Sequence, residues 1–307
     1  MGDKLLLSLS DMCVSSNDNT HCMLFNKKLH ENYQLENLYD IVGQNKWTFE
    51  KFREMTRNTS ADLNGDGKMT EADQFGYFIG GGSGQLNFLW AGGSQITSKD
   101  ENNIPYLNMM SERTVAIYDF LYELRNSGDA FYYAFWEKPY AYEFFSADKA
   151  LFMTTQIGVI NNLRNMDTDF GIIPYPKFDE AQEAYGHYVD GHATLMAVPM
   201  TVTNPEKDGV IIEALSYDSY VNLVPIYYDT IITTKFTRDE ESAAMLDIIY
   251  NSRVFDFAYV YDNWNLAFAF SNMLDAKNAS FASYYATKEK AEITQLDKVL
   301  KLYDALQ

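Results

Sequence analysis

Short apolar runs alternate with segments of helical periodicity along the 307-residue chain. The apolar runs have the length of buried β-strands, and they lie at 4–10, 21–25, 77–79, 150–160, 170–173 and 193–198. In the segments between them, apolar residues recur at the spacing of a helix with one buried face. Because strands alternate with helices, the sequence predicts the α/β fold class.

Several predicted helices begin at a recognisable capping signal. Trp47 and Phe52 flank the first of these caps with the spacing of a hydrophobic staple. Another cap is followed by proline at the first helical position, and a third opens a capping box. The predicted N-cap residues are Thr48, Ser111, Asn204 and Thr237. A final amphipathic helix is predicted around 293–303.

A glycine-rich run at 80–84 follows the strand-like run 77–79. It lacks the Lys-Ser/Thr ending of a phosphate-binding P-loop and the glycine spacing of a dinucleotide-binding fingerprint. The run therefore favours a flexible turn over a phosphate site.

The segment 62–73 has the residue spacing of an EF-hand-type calcium loop. Calcium prefers six to eight oxygen ligands, and a glycine, Gly67, stands where that loop turns sharply. Since the last position is Asp instead of Glu and the chain has no second loop, we expect a structural calcium ion and no regulatory role. An acidic turn without metal is the alternative. The predicted ligands are Asp62, Asn64, Asp66, Lys68 through its carbonyl, and Asp73.

Composition narrows the class of partner. Lys and Arg total 24 against 43 Asp and Glu, a net charge of −19, which disfavours nucleic acids and anionic membranes as partners. The 23 tyrosines suit a surface that stacks on sugars or peptides, although core packing uses them equally. Cys13 and Cys22 would pair in an oxidising compartment or stay free. Neither a membrane span nor a signal peptide is apparent.

No motif for catalysis is present. The four histidines, His21, His30, His187 and His192, do not form a zinc-protease pair, and no Gly-x-Ser-x-Gly occurs. A pair of carboxylates for glycoside hydrolysis remains open, because so acidic a chain always allows some pair. We therefore expect a protein that is not an enzyme.

Six segments occur in the order found in extracellular solute-binding proteins, and each is similar to a motif of that family: 24–29, 46–52, 147–152, 170–177, 197–206 and 239–248. The chain thus resembles the sugar-type substrate-binding component of an ABC importer, distantly similar to maltose-binding protein. The loop 62–73 is a familiar insertion in such proteins. The resemblance implies a periplasmic-binding-protein-like type II fold with two lobes and a hinge.

The resemblance also implies a division of the chain. The second lobe would be 21–184, with the calcium loop in it. The remnant of an incomplete first lobe would be 1–20 and 185–235, and the C-terminal helices of 236–307 would pack mainly on the second lobe. The match begins near the end of the family's first lobe, which predicts an N-terminal truncation. The full-length protein would be extracellular, either lipid-anchored at the cell surface or periplasmic.

The family mechanism is capture of a carbohydrate, an oligosaccharide, in the interlobe cleft, followed by recognition by the permease transmembrane subunits. A monomer is expected. By position, polar contacts to the ligand are implied for Asp18, Asn19, Thr154, Thr155, Gln156, Asp190 and His192, and stacking for Trp90, Trp136 and Trp264. Ordinary turn chemistry and core packing are the alternatives for these residues. The alternative functions are a secreted, calcium-stabilised glycoside-processing enzyme and a binding protein for a peptide or another non-sugar solute.

Overall fold

The computed structural model describes residues 2, 6–133, 141–233, 240–261 and 266–305. Its main sheet has five strands in the order β5-β2-β6-β1-β7. The strands of this sheet are β1 (His21–Asn26), β2 (Phe75–Gly80), β5 (Ala130–Tyr133), β6 (Ala150–Gln156) and β7 (Phe170–Ile173). Two short pairs accompany the sheet: β3 (Thr97–Lys99) with β4 (Pro105–Leu107), and β8 (His187–Tyr188) with β9 (Arg253–Val254).

The direction of the strands fixes where each end of the sheet lies. β2 runs parallel to both β5 and β6, whereas β1 is antiparallel to β6 and β7. The start of β1 therefore lies beside the end of β6, with His21 opposite Gln156. The start of β2 lies at the other end, with Phe75 opposite Ala150.

Both faces of the sheet are covered, which explains why its strands are continuous apolar runs. Alternate residues of β1 enter two different core clusters: Met23 and Phe25 pack in the larger one, Cys22 and Leu24 in the smaller one. The predicted strands 21–25, 77–79 and 170–173 are confirmed.

Helices cover the sheet and extend beyond it. They are α1 (Ser15–Asp18), α2 (Lys27–Asn32), α3 (Leu38–Gly43), α4 (Phe49–Thr59), α5 (Gly81–Ala91), α6 (Glu112–Asn126), α7 (Ala141–Ser146), α8 (Pro205–Asp218), α9 (Val224–Thr233), α10 (Glu240–Asn251), α11 (Phe257–Tyr261), α12 (Ala269–Asp275) and α13 (Phe281–Ala305). A 3-10 helix spans Ile157–Leu163, and a π-helical turn spans Ser219–Leu223. No helix of the described residues combines the length and apolarity that crossing a membrane requires.

Three of the four predicted caps are confirmed. The side chains of Thr48, Ser111 and Asn204 each accept a hydrogen bond from the backbone amide three residues later, at 3.3, 3.0 and 3.0 Å. Trp47 and Phe52 pack edge to face beside the first cap, with ring centroids 5.9 Å apart. The fourth predicted cap, Thr237, lies outside the described residues.

The prediction of a flexible turn for the glycine-rich run 80–84 is wrong. The run begins the helix α5 and is not a flexible turn. Each glycine costs a helix about 1 kcal/mol relative to alanine, and the burial of Leu86, Phe88 and Leu89 on the core offsets this cost. A Cβ at Gly84 would lie 2.7 Å from the hydroxyl of Thr154 on β6, so close approach to the sheet requires glycine there.

Three predicted strands are also corrected. The run 150–160 leaves the sheet after Gln156 and continues as the 3-10 helix. Residues 4 and 5 of the predicted run 4–10 lie outside the described residues. Residues 6–10 and 193–198 form a single antiparallel bridge, in which Ser8 and Met196 exchange backbone hydrogen bonds of 3.0 and 2.9 Å. Two short paired segments without further neighbours do not form a stable sheet, which explains why these runs stay irregular.

Helix α8 exposes its apolar residues. The sequence predicts an amphipathic helix here, yet none of its residues is buried, and Val210, Leu215 and Tyr217 are 69, 52 and 67% exposed. The division of the chain into two lobes stays a prediction. Cys13 and Cys22 are both free thiols, and Cys22 is buried.

Candidate functional site

Three segments that are distant in sequence run side by side near the start of β1. Thr20 forms an antiparallel bridge with Val189, and the amide of Asp190 donates to the carbonyl of Asn19 at 2.9 Å. β8 pairs in parallel with β9. We call these three segments, 18–20, 187–190 and 253–254, the crossing segments. Their pairing brings residues from the beginning, middle and end of the chain to one place.

A cavity opens beside the crossing segments. It holds about 720 Å³ of space outside the protein atoms, counting the open solvent at its mouth. Its lining comes from Leu9, from Trp90 at the end of α5, and from the segments 188–195 and 254–260. Most of these side chains are aliphatic or aromatic, with a few polar groups among them, a composition typical of small-molecule sites.

The inner wall of the cavity is a stack of aromatic rings. Tyr188 lies between His21 and Trp90, with ring centroids 4.6 and 4.8 Å away and interplanar angles of 23 and 20°. Tyr259 meets both Tyr188 and Trp90 edge to face, at 5.2 and 5.8 Å. A Cβ at Gly186 would overlap the carbonyl group of Trp90, so the glycine allows the chain entering β8 to approach α5.

Asp256 holds this wall in position. Its carboxylate accepts hydrogen bonds from the Trp90 indole at 3.1 Å and from the amide of Ile96 at 2.7 Å. It also accepts from the hydroxyl and amide of Thr97, at 2.6 and 3.2 Å, and from the amide of Ala258 at 3.1 Å. Asp256 lines the cavity, yet its oxygens are committed to protein donors.

Asp190 is the second carboxylate of the cavity. Its Oδ1 atom lies 2.5 Å from Nδ1 of His192 and accepts from the His192 amide at 3.1 Å. Its Oδ2 atom accepts the hydroxyl of Tyr188 at 3.1 Å and lies 3.9 Å from Nε2 of His21. Burial raises the pKa of Asp190, but the contacts with His21 and His192 outweigh it and hold the pKa of that carboxyl well below its usual range.

Two histidines of this region are buried: His21, which is part of the stack, and His187, which begins β8. His187 accepts the amide of Tyr175 at Nε2, at 3.0 Å, so its proton is on Nδ1, which donates to the Ser252 hydroxyl at 2.8 Å. Burial lowers the pKa of His187 to about 3. Burial also lowers the pKa of His21, and the nearby Asp190 opposes part of that shift. Both rings are therefore neutral at pH 7.

The structure separates the residues predicted to contact a ligand. Trp90 and Asp190 line the cavity, and His192 contacts Asp190. Asp18 instead accepts the hydroxyl of Tyr227. Asn19 lies in a crossing segment without lining the cavity, and the end of β6, with Thr154, Thr155 and Gln156, also lies outside the lining. Trp136 and Trp264 lie outside the described residues.

Sequence reasoning missed two aromatic residues of the cavity. Phe255 is 53% exposed and Tyr259 is half-buried, and both belong to the lining. Trp90, which was predicted as a stacking platform, is only 2% exposed. An available signal was the aromatic residue at every second position of 255–261, which is too dense for a solvated loop.

The predicted calcium loop folds over its own backbone. Asp62 accepts the amides of Gly65 and Gly67 at 2.7 and 2.8 Å, Asn64 accepts that of Asp66 at 2.9 Å, and Asp66 accepts that of Lys68 at 2.8 Å. The side-chain oxygens of these three residues point towards the backbone of the loop and not into solvent, an arrangement that fits a cation-binding loop. The loop leads into β2, at the opposite end of the sheet from the crossing segments.

Asp73 closes the loop. Its carboxylate accepts the amides of Leu63 and Thr70 at 3.0 and 2.8 Å, and the bond from Thr70 lowers the pKa of Asp73. Within the described part of the chain, no three His, Cys, Asp or Glu side chains gather to hold a metal. This absence concerns only those four types of side chain, whereas the predicted site also uses the Asn64 side chain and the Lys68 carbonyl. The calcium site therefore stays a prediction.

Solved bacterial binding proteins share this fold. The TM-score is 0.61 with UgpB from Mycobacterium tuberculosis in complex with glycerophosphocholine, at 17% identity over 91% of this chain and 68% of UgpB. It is 0.63 with the sugar-binding protein MalE from Xanthomonas citri, at 10% identity over 94% of this chain and 71% of that protein. It is 0.56 with the maltose/maltodextrin-binding domain MalE from Bdellovibrio bacteriovorus bound to maltotriose, at 14% identity over 92 and 70% of the two chains.

These likenesses confirm the predicted fold class, α/β and periplasmic-binding-protein-like of type II. Because the sequence identities are only 10–17%, these likenesses establish the fold alone and do not identify a ligand. No protein-family model and no curated protein sequence matches the chain.

Proposed function

We propose that this protein is the substrate-binding component of an ABC importer and captures an oligosaccharide in the cavity beside the crossing segments. One observation carries the proposal: more than nine-tenths of the chain shares its fold with binding proteins, and among them are a sugar-binding protein and a domain bound to maltotriose. The cavity supports it, because its aromatic and apolar lining with few polar groups suits the faces of a sugar.

The proposed action is capture without chemical change. Both carboxylates of the cavity, Asp190 and Asp256, are committed to protein donors. A glycoside-cleaving enzyme needs one carboxyl group free to donate a proton and a second free to act as base or nucleophile. Because neither carboxylate is free for these roles, the cavity favours ligand binding over glycoside hydrolysis.

The proposal includes the setting in which such a protein works. Closure around the ligand would exclude water, and the permease transmembrane subunits would recognise the closed form. We propose a monomer outside the cytoplasm, periplasmic or anchored by a lipid on the full-length protein. The net charge of −19 agrees with a partner that is neither nucleic acid nor an anionic membrane.

We also propose that the loop 62–73 holds a structural calcium ion. Asp62, Asn64 and Asp66 would supply side-chain oxygens, Lys68 its carbonyl and Asp73 a carboxylate. The ion would offset the negative charge of Asp62, Asp66 and Asp73 and would fix the entry into β2. The loop lies at the far end of the sheet from the crossing segments, which supports a role of the ion in stability and not in ligand contact.

Titration calorimetry tests the proposed function. The protein, shown to be folded by circular dichroism, is titrated with maltotriose, raffinose and a panel of longer oligosaccharides. We expect a dissociation constant in the micromolar range for at least one of them, which corresponds to about −8 kcal/mol. The absence of heat with every oligosaccharide would contradict the proposal. Release of product from a chromogenic glycoside would replace it with an enzyme.

A further inference from the structure

We propose that the part of the cavity beside Asp256 binds a quaternary ammonium group, a cation that donates no hydrogen bonds, with Phe255 as its aromatic face. The inference goes beyond the proposed capture of an oligosaccharide, because a neutral sugar carries no such group. Three features of the cavity carry it: a buried carboxylate without a counter-ion, the saturation of that carboxylate by neutral donors, and an aromatic ring with an open face.

Asp256 places a negative charge in the cavity wall without a neighbouring cation. It lines the cavity and is only 6% exposed. Its hydrogen-bond partners are an indole, a hydroxyl and backbone amides, all of them neutral groups. Among the described residues, no Lys, Arg or His pairs with Asp256 or lines the cavity. A buried carboxylate without a counter-ion is costly, and it attracts a positive charge more strongly than it would in water.

Asp190, the second carboxylate of the lining, already has a partner. Its Oδ1 atom lies 2.5 Å from the ring of His192, and its Oδ2 atom accepts the hydroxyl of Tyr188 at 3.1 Å. The negative charge without a partner in the cavity is therefore that of Asp256. The net charge of −19 means that the rest of the chain does not offset it.

The hydrogen bonds of Asp256 decide which kind of cation fits. Its two oxygens accept the indole of Trp90, the hydroxyl of Thr97 and three backbone amides. A carboxylate offers about four lone-pair positions, so no position is left for a further donor. A primary ammonium or a guanidinium would lose its hydration here without gaining acceptors. A quaternary ammonium has no N–H group to satisfy, and the charge alone attracts it.

Phe255 supplies the aromatic face. It precedes Asp256 in the chain, lines the same cavity and is 53% exposed. Within the described part of the chain its ring contacts no other aromatic ring, whereas Trp90, Tyr188 and Tyr259 pack on one another. The negative face of an aromatic ring attracts a quaternary ammonium placed over it. The aliphatic side chains of the lining suit the methyl groups of such a cation.

Titration calorimetry with three small probes tests the inference. Choline carries a trimethylammonium group, its neutral isostere carries a tert-butyl group in the same place, and ethanolamine carries a primary ammonium. Choline should bind at least about tenfold more tightly than either of the other two. A neutral isostere that binds as tightly as choline would show that apolar contact alone is recognised. Ethanolamine that binds as tightly would show that the carboxylate accepts further donors. Either result overturns the inference.

Val260→Lys tests the role of charge without altering Asp256. Val260 lines the cavity and is 42% exposed, so a lysine there brings a cation to the wall while keeping access to water. This variant should weaken choline binding by at least about tenfold, whereas Val260→Met, which adds length without charge, should stay within about twofold. Val210→Lys adds the same charge on α8, outside the cavity, and should leave the affinity unchanged. Equal choline affinity in Val260→Lys and Val260→Met would overturn the inference.

Phe255→Leu tests the aromatic face. It removes the ring but keeps an apolar side chain, and it should weaken choline binding by about fivefold, whereas Phe255→Tyr should stay within about twofold. Circular dichroism shows whether each variant is folded before it is titrated. Choline affinity that is unchanged in Phe255→Leu would overturn the assignment of this residue.

The inference and the proposed function fail separately. The absence of heat with choline overturns the inference, and binding of maltotriose or another oligosaccharide in the same series then leaves the proposed function in place. Binding of choline without binding of any oligosaccharide would support the inference and contradict the proposed capture of an oligosaccharide.

Discussion

The carboxylate of Asp256 joins three parts of the chain through its hydrogen bonds. Its partners are the indole of Trp90, the backbone and side chain of the 96–97 segment, and the amide that begins α11. Asp256 is only 6% exposed, so little water can reach its hydrogen-bond partners. Buried donors that lose a charged acceptor keep their full desolvation cost.

Asp256→Asn should therefore lower the free energy of unfolding by about 2–4 kcal/mol. The NH₂ group of the asparagine is a donor, and it would face N–H and O–H groups that now donate to the carboxylate. Urea denaturation followed by circular dichroism measures the change. Asp297→Asn is the matched control, since Asp297 is exposed on α13, and its effect should stay within about 0.5 kcal/mol. Equal midpoints for the two variants would contradict the role given to Asp256.

His187 makes the stability of the protein sensitive to acid. Its pKa is about 3 in the folded protein and near the ordinary value of 6.5 in the unfolded chain. Between these values the unfolded chain binds a proton that the folded protein does not bind, so stability rises with pH across this window and is lost as pH falls from about 6.5 towards 3. The slope from one such group approaches about 1.4 kcal/mol per pH unit. His21, whose pKa is also lowered, acts in the same direction.

Melting temperatures measured from pH 7.5 to 4.5 test this prediction. The unaltered protein should lose stability steadily below about pH 6.5, and His187→Gln should flatten part of that decline, whatever its melting temperature at pH 7.5. His30→Gln is the control, because the side chain of His30 is partly exposed and its hydrogen bond is to the backbone carbonyl of Glu36. A decline of the same steepness in His187→Gln and the unaltered protein would show that His187 does not cause it.

At the scale of elements, local signals predicted helix starts and buried strands well. Thr48, Ser111 and Asn204 cap helices through their own side chains, an interaction that depends on only a few neighbouring residues. The strands β1, β2 and β7 are continuous apolar runs because the sheet is covered on both faces.

Elements whose state depends on distant neighbours were predicted wrongly. The glycine-rich run is helical because the residues after it are buried in the core. That burial cannot be predicted from the residues next to the run. The run 193–198 stays irregular because it pairs with a single residue, Ser8. A strand forms when partners are present on the sheet, and partners are a property of the whole fold.

The loop 62–73 gives a prediction at this scale. Asp66→Ala should lower the melting temperature in millimolar calcium by several degrees and should have little effect in excess chelator, because an ion that binds only the folded state stabilises it. Scanning calorimetry in both buffers measures the difference. Asp100→Ala alters another exposed acidic turn outside the loop, so its melting temperature should differ from that of the unaltered protein by the same amount in both buffers. A native melting temperature that is unchanged by chelator would exclude the ion.

At the scale of the molecule, the cavity unites chain segments separated by more than two hundred residues, from Leu9 to Val260. Trp90 and Asp190, which the family resemblance singles out, line this cavity, and so do Phe255 and Tyr259, which it does not single out. Phe255 and Tyr259 follow β9, and the pairing of β9 with β8 brings them to the cavity. No local sequence pattern predicts that pairing. The fold was therefore more predictable than the composition of the site.

A ligand that contacts all of these segments should stabilise the molecule as a unit. At one hundred times its dissociation constant, a bound oligosaccharide adds about 2.7 kcal/mol to the free energy of unfolding. Differential scanning fluorimetry with maltotriose should show a rise in melting temperature that is smaller in Phe255→Ala at the same concentration. Calorimetric binding without any rise would mean that the ligand contacts a site outside the cooperative core.

Trp90 has a spectroscopic consequence. Its indole lies in the wall of the cavity, packed on Tyr188 and bonded to Asp256, whereas Trp47 is fully enclosed elsewhere in the core. Indole emission shifts with the polarity of its surroundings, so a ligand that displaces water from the cavity should shift the Trp90 contribution while leaving that of Trp47 constant. The difference between the spectra of the unaltered protein and of Trp90→Phe thus provides an optical reporter of occupancy without an attached dye.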